Sequence, residues 1–419
     1  MLSDLPTVEV DVRLADGTVG RASVPSGAST GAHEAIERRD VGVRRQGGRG
    51  VRGVIAAGIT EIGSALVGID ACDQRHVDSA LISLDGTQNK ARLGANLVLG
   101  ASLACVRAAA AAQSLPLYRW IATMCGLGRQ SLQIPTPMVN VLSGGLHARQ
   151  NIDMQDFLVI PATAETYSEA LDVVCDVYHA ARELLDAEGY STLLADEGGY
   201  GPALPSNEAA LTLLERIIAR SGHEPGRDVV IAMDVASSHF YTEGMYQLRS
   251  ERRTLDAGGL TALLATWTQR FPIVSIEDGC AEDDWFGWQH LTARLGETTQ
   301  LIGDDLFVTN PTRLRRGIDH GVGNAILVKM NQIGTLTETL DVVAMARDAG
   351  YRTVISARSG ETEDSFLADL AVGCQGGQIK VGSVGRSSRL AKWNQLLRIE
   401  EELGMAGRYE GLAALRLSR

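Results

Sequence analysis

The sequence predicts an α/β protein, a barrel of parallel β/α units preceded by a smaller α+β unit. Three features carry this reading. The opening residues alternate like strands and then give way to helical segments. Beyond residue 130, short apolar runs alternate with amphipathic helical stretches. Successive runs end on a charged residue, and those charges recur at intervals of roughly 22 to 43 residues, most of them the length of one strand with its crossover helix.

Thr7 to Leu14 alternates with period two, Ala15-Asp16-Gly17 has turn chemistry, and Val19 to Val24 resumes the alternation, so a β-hairpin is expected. Pro25 to Gly31 is small, polar and aperiodic, which reads as a loop. Helices are expected from about Gly53 to Val67 and from about Gly94 to Ala112, the second rich in small residues suited to close packing. A sheet followed by helices places an α+β domain over 1–128 and the barrel over 129–419.

In the barrel part, Val229 to Met233 leads to Asp234 and Ile273 to Ile276 to Glu277. Leu301 to Gly303 leads to Asp304, Ala325 to Val328 to Lys329, Thr353 to Ala357 to Arg358, and Gln378-Ile379 to Lys380. The longest interval, Asp234 to Glu277, has room for an insertion. Parallel strands need crossovers, a long series of such units closes into a barrel, and the site then lies at the strands' carboxyl ends. One charge at a strand end is unremarkable, but a converging series is not retained for packing, because unpaired buried charge is too costly.

Composition narrows the function. Hydrophobic residues at 45% and charged residues at 21% are those of a globular chain. A formal charge of −12 argues against a nucleic-acid partner. No run reaches the roughly 20 uninterrupted apolar residues of a membrane span, and the first residues show no secretory pattern, so a cytoplasmic protein without a membrane partner is expected. The cysteines are scattered without C-x-x-C spacing and read as free thiols rather than zinc ligands.

Asp234, Glu277 and Asp304 supply three carboxylates without histidine or thiol among them, which suits magnesium, manganese or calcium. Lys329, Arg358 and Lys380 at the same rim suit an anionic substrate, phosphate or carboxylate. A lysine crowded by metal ions and other cations has its charged form disfavoured and can act as a base. Asp196-Glu197-Gly198-Gly199 and Gly144-Gly145-Leu146-His147 would, taken alone, be ordinary turns.

These motifs, with Ser26-Gly27-Ala28-Ser29-Thr30-Gly31, Ser275-Ile276-Glu277-Asp278, Gly303-Asp304-Asp305 and Lys329-Met330-Asn331-Gln332, give the chain a resemblance to enolase from about residue 6 to about residue 405. The resemblance implies a capping α+β domain, an enolase-type modified (β/α)8 barrel of the β2α2(βα)6 kind, and a homo-oligomer, usually a dimer. It implies two magnesium ions, the first on Asp234, Glu277 and Asp304 and the second met by Ser29 in a mobile loop. It makes Lys329 the base, Glu197 the acid with Asp156 and His147 beside it, Arg358 and Ser359 the phosphate contacts, and Lys380 the carboxylate contact. A lysine base beside magnesium is the known pattern of enolase-superfamily sites. The implied reaction removes water from 2-phosphoglycerate to give phosphoenolpyruvate.

Several positions depart from the family. Ala357 replaces a histidine, Leu146 a serine, Arg149-Gln150 a Gly-Asn pair, Asp156 a glutamate and Gly279 a proline. Ala357 is expected to leave a void larger than one water. The proton-abstracting half is intact while the half that handles the leaving hydroxyl is altered. A specialised relative acting on a phosphonate, of the carboxyphosphonoenolpyruvate synthase kind in antibiotic pathways, is therefore the alternative substrate reading. A non-catalytic scaffold would have been suggested by loss of Lys329 or a metal carboxylate, and all are present.

Overall fold

The computed structural model describes residues 5–27, 30–40, 42, 45–128 and 131–415. The hairpin is formed by β1 (Glu9–Arg13) and β2 (Val19–Ser23), antiparallel with Val10 opposite Ala22. Four helices follow, α1 (Arg52–Leu66), α2 (Gln74–Asp85), α3 (Ala95–Ala112) and α4 (Leu117–Met124). The helices α2 and α4 were not evident in the sequence. Small residues on α3 let the hairpin lie directly against it. A Cβ on Gly20 would stand 2.2 Å from the Ala104 carbonyl oxygen and 2.3 Å from the Ala108 nitrogen. Among the described residues α3 alone is long and apolar enough to cross a membrane, and 83% of it is buried inside the fold as a core helix.

The next elements are β3 (Gln133–Ile134), β4 (Thr136–Ser143), β5 (Asp156–Pro161), α5 (Tyr167–Ala187), α6 (Asn207–Arg220) and β6 (Val229–Asp234). A three-stranded antiparallel sheet then fills the expected insertion: β7 (Tyr241–Thr242), β8 (Met245–Leu248) and β9 (Arg253–Leu255). It leads to α7 (Ala257–Arg270), β10 (Ile273–Glu277), α8 (Trp285–Leu295), β11 (Gln300–Gly303), α9 (Pro311–His320) and β12 (Ala325–Val328). The chain closes with α10 (Met330–Ile333), α11 (Leu336–Asp348), β13 (Arg352–Ser356), α12 (Phe366–Gly373), β14 (Gln378–Gly382), α13 (Ser387–Leu403) and β15 (Arg408–Tyr409). Helix starts follow local chemistry. Asn310 caps α9 with Pro311 as the next residue, and Thr335 accepts from the Glu338 amide while its hydroxyl bonds the Glu338 carboxylate at 2.7 Å.

The strands close in the order β10-β11-β12-β13-β14-β4-β5-β6. Every pair is parallel except β4·β5 and β5·β6. The link from β4 to β5 holds a single 3₁₀ turn, Gly145–Ala148, and has no crossover helix, so it can only return antiparallel. A closed barrel with two antiparallel pairings and an amino-terminal cap is the architecture that the sequence resemblance implies. The barrel interior packs Met138, Leu158, Ile160, Val230, Ile302, Leu327 and Val354, and Leu415 from the carboxyl-terminal segment joins them. The cysteines are free thiols.

Buried contacts bind the cap to the barrel mouth. Asp364 pairs with Arg107 and accepts the Ser23 amide at 2.9 Å. Ser26 and Gly360 exchange two backbone hydrogen bonds of 2.9 Å. Lys90 reaches Glu338 at 2.6 Å. The hairpin's close seat on α3 yields the first prediction. Gly20→Ala lifts the hairpin and costs about 1–3 kcal/mol, read as a lower urea midpoint. An unchanged midpoint would show that this contact is not close-packed.

Candidate active site

The reversed strand assembles the rim. Because β5 runs against its neighbours, its first residue, Asp156, lies level with strand ends, opposite Ser143 at the end of β4 and Asp234 at the end of β6. Glu277 ends β10 directly beside Asp234. Asp304, Lys329 and Arg358 follow β11, β12 and β13 in the chain, and Lys380 lies within β14.

Two ammonium groups are threaded through the carboxylates. Lys380 Nζ donates to Asp234 Oδ2 at 2.9 Å and to Glu277 Oε2 at 2.7 Å. Lys329 Nζ bonds Asp304 Oδ2. Gln155 Nε2 donates to Asp234 Oδ2 at 3.1 Å and Gln332 Nε2 to Asp304 Oδ1 at 2.9 Å. Burial, and next the charge of Asp234, push Glu277 well above the usual carboxylate range. Burial also raises Asp234, but Lys380 outweighs it and holds that carboxyl low. Burial would lower both lysines, yet Asp304 outweighs it at Lys329, and Asp234 with Glu277 does so at Lys380, so both ammonium groups are held above the ordinary range. In the protein alone each ammonium touches a carboxylate, which favours its charged form; the disfavoured charge expected from the sequence concerned a lysine crowded by metal ions.

The donor set fits a hard cation. Asp234 Oδ1 and Glu277 Oε1 are buried oxygens on adjacent strand ends without a hydrogen-bond partner among the described residues. A second acidic group, Asp278, Asp304 and Asp305, brings ligand atoms within 4.8 Å of one another. There, however, Asp278 is engaged as a brace, its two oxygens accepting the Asp304 amide at 3.0 Å and the Asp305 amide at 2.8 Å. Burial and the adjacent Asp304 push Asp305 up to about 8. Ser29 lies outside the described residues.

Across the mouth, His147, Asp156 and Glu197 are buried, with ligand atoms within 4.8 Å of one another. His147 Nδ1 meets Asp156 Oδ2 at 3.0 Å. Asp156 Oδ1 accepts from Ser143 Oγ at 2.9 Å and from Asn140 Nδ2. Burial would lower His147, but Asp156 and then Glu197 outweigh it and hold the imidazole at about 9. Burial raises Asp156, which on its own would move the proton onto the carboxyl. We place it on His147, because Asp156 already accepts two other hydrogen bonds and His147 faces a second carboxylate. Burial raises Glu197 as well, but His147, Arg389 and the two lysines outweigh it and hold it below the usual glutamate range.

Arg358 and Ser359 follow the β13 end in a braced turn. Arg389, buried on α13, donates to the carbonyls of Arg358 at 2.6 Å, Ser359 at 2.8 Å and Val381 at 2.9 Å. Arg358 NH1 donates to Asn331 Oδ1 and to Glu34 Oε2, each at 2.9 Å.

One small cavity is lined by His147, Gln155, Glu197, Asp234, Lys329, Ala357, Arg358, Ser359 and Lys380 among others. Its volume, measured for water centres, is ≈10 Å³, the room of about one water. Ala357 therefore does not open the larger void expected from its short side chain. On the cap side of Arg358 lies a cleft of ≈790 Å³ that reaches Ile36, Asn96, Leu146 and Asp196. Apart from Ser29, the structure brings the catalytic, substrate-binding and metal candidates named from the sequence to this mouth. Sequence reasoning missed Glu34, Asp278, Gln332 and Arg389 as participants. Glu34 and Arg389 belong to helix or loop segments far from the strand ends, and no periodic signal marks them.

Two family models match this chain. The model for the enolase N-terminal domain matches residues 4–121, and that for the enolase C-terminal TIM barrel domain matches residues 131–417. The chain belongs to the enolase family.

The His147 environment sets a pH dependence. A group raised from 6.5 in the unfolded chain to about 9 when folded stabilises the protein in its protonated form. That contribution is complete below about pH 6.5 and lost as pH rises through about 9. Urea midpoints are expected to fall over this window in the wild type and to fall less in His147→Gln. NMR titration should show the imidazole value dropping in Asp156→Asn, and an unchanged value would refute the pairing.

Proposed function

We propose, from enolase-family membership and the geometry of the mouth, that the protein is a magnesium-dependent lyase that removes water from 2-phosphoglycerate. The observation that carries this reading is one small cavity lined by Lys329, Glu197, Arg358 and Ser359 together. A base, an acid and an anion clamp around one small volume suit abstraction of a proton α to a carboxylate with departure of a β-hydroxyl.

Arg358 and Ser359 hold the phosphoryl group, and Lys380 the substrate carboxylate. Asp234, Glu277 and Asp304 would hold magnesium, and Ser29 would meet a second ion. Bound there, magnesium would draw off the carboxylate charge that keeps Lys329 protonated and offset charge developing on the substrate carboxylate. Lys329 Nζ takes the α-proton. The protonated His147 beside Glu197 can pass its proton through Glu197, which delivers it to the departing β-hydroxyl, and Asp156 holds the imidazole in place.

A phosphonate substrate is the second reading. What favours it is Leu146, 41% exposed and lining the ≈790 Å³ cleft that shares Arg358 with the small cavity. Room for a larger ligand lies on that side and not at Ala357.

Turnover is expected to disappear when divalent ions are chelated, and full activity without them would sink the metal assignment. Lys329→Ala should abolish exchange of the substrate α-proton with solvent deuterium. Glu197→Gln should keep exchange and lower elimination by at least about 100-fold. Exchange at the wild-type rate in Lys329→Ala would place the base elsewhere. Ala357→His, which has no room in a one-water cavity, should lower turnover. A gain in 2-phosphoglycerate dehydration would show that the site had merely lost a family side chain.

A further inference from the structure

Arg358 carries a carboxylate that the reaction does not require. Glu34, from the cap, meets its guanidinium with both oxygens, Oε2 at 2.9 Å from NH1 and Oε1 at 3.3 Å from NH2. Both side chains are buried, at 3% exposure for Arg358 and 8% for Glu34. Glu34 is itself held in place, because Oε1 also accepts the Gly31 amide at 3.0 Å and Gln332 Nε2 at 3.3 Å. Gly27 closes on the same guanidinium so tightly that a Cβ there would stand 1.8 Å from NH2. The cap therefore grips the arginine with a backbone that admits no side chain at residue 27 and with a carboxylate at residue 34.

We propose that Glu34 is a built-in counter-ion that sets the ligand specificity of Arg358. A phosphoryl or phosphonyl dianion displaces it, and a monoanionic carboxylate does not. The inference rests on the reading of Arg358 as the anion contact. A carboxylate that approaches this fork exchanges one buried monoanion for another and gains nothing, while the desolvation of the newcomer is unrecovered. A dianion brings extra charge and a third oxygen, so it gains hydrogen bonds that Glu34 cannot make. The rest of the surroundings sharpen the selection. Asp304 and Asp305 also face the guanidinium, so Arg358 is already well supplied with negative charge. Gln332 and the Gly31 amide remain to receive Glu34 when it is displaced. Glu34 is a specificity-determining residue in this scheme and takes no part in proton transfer.

Isothermal titration of the full chain with inorganic phosphate and, separately, with acetate tests this. Glu34→Gln keeps the shape and removes the charge. It should bind phosphate about tenfold more tightly than the wild type and acquire measurable acetate binding. Glu34→Asp, one methylene shorter, should shift phosphate affinity in the same direction by a smaller factor, and carries the test if the glutamine variant does not fold. Arg358→Ala should abolish phosphate binding. If Arg358→Ala abolishes binding while both Glu34 variants bind phosphate no better than the wild type, the counter-ion role is overturned and the anion contact stands. If Arg358→Ala binds phosphate like the wild type, the anion contact itself is overturned.

Discussion

Charge compensation in a buried barrel mouth is the constraint on which the rest of the structure depends. Asp234, Glu277 and Asp304 stand buried in direct contact with Lys329 and Lys380. None of these groups can be buried alone, since an isolated buried charge costs several kcal/mol. Lys380 bridges Asp234 and Glu277, and Lys329 pairs with Asp304. This pairing still leaves two carboxylate oxygens unmatched, Asp234 Oδ1 and Glu277 Oε1. With more carboxylates than ammonium groups and with these unmatched oxygens, the site is suited to a cation.

The barrel serves that pairing through one topological irregularity. Had the β4–β5 link held a helix, β5 would run parallel to its neighbours and its first residue would lie at the opposite end of the barrel. The short link instead brings Asp156 to the rim and places His147 in the link itself. The acid side of the mouth is thus built by a hairpin and the base side by parallel strand ends. Asn140 and Ser143 from β4 fix Asp156, and Asp156 fixes the charge on His147.

The cap acts on the site through a few contacts at Arg358. The Ser26–Gly360 bridge, the bare backbone of Gly27 and the Glu34 carboxylate all converge on the turn that Arg389 braces from behind. The anion contact is accordingly positioned by three parts of the chain that lie far apart in sequence. Part-buried ion pairs such as Arg107 with Asp364 hold the two parts in register, so geometry at the arginine depends on how the cap is seated.

By itself the sequence determined the hairpin, two of the cap helices, six barrel strands and the charged residue at or near the end of each. These are local properties, since alternation, turn residues and a charge after an apolar run are visible in a short window. The family motifs extended this to the acid side, where Glu197 and His147 sit in turns that carry no strand signal. Only the tertiary structure decided which charges meet. That Lys380 lies between Asp234 and Glu277, that Ala357 leaves room for only about one water, and that Glu34 reaches across from the cap to Arg358 are outcomes of barrel closure and cap docking. Pairing between residues hundreds of positions apart depends on strand order, register and side-chain packing, and a linear sequence records none of these directly.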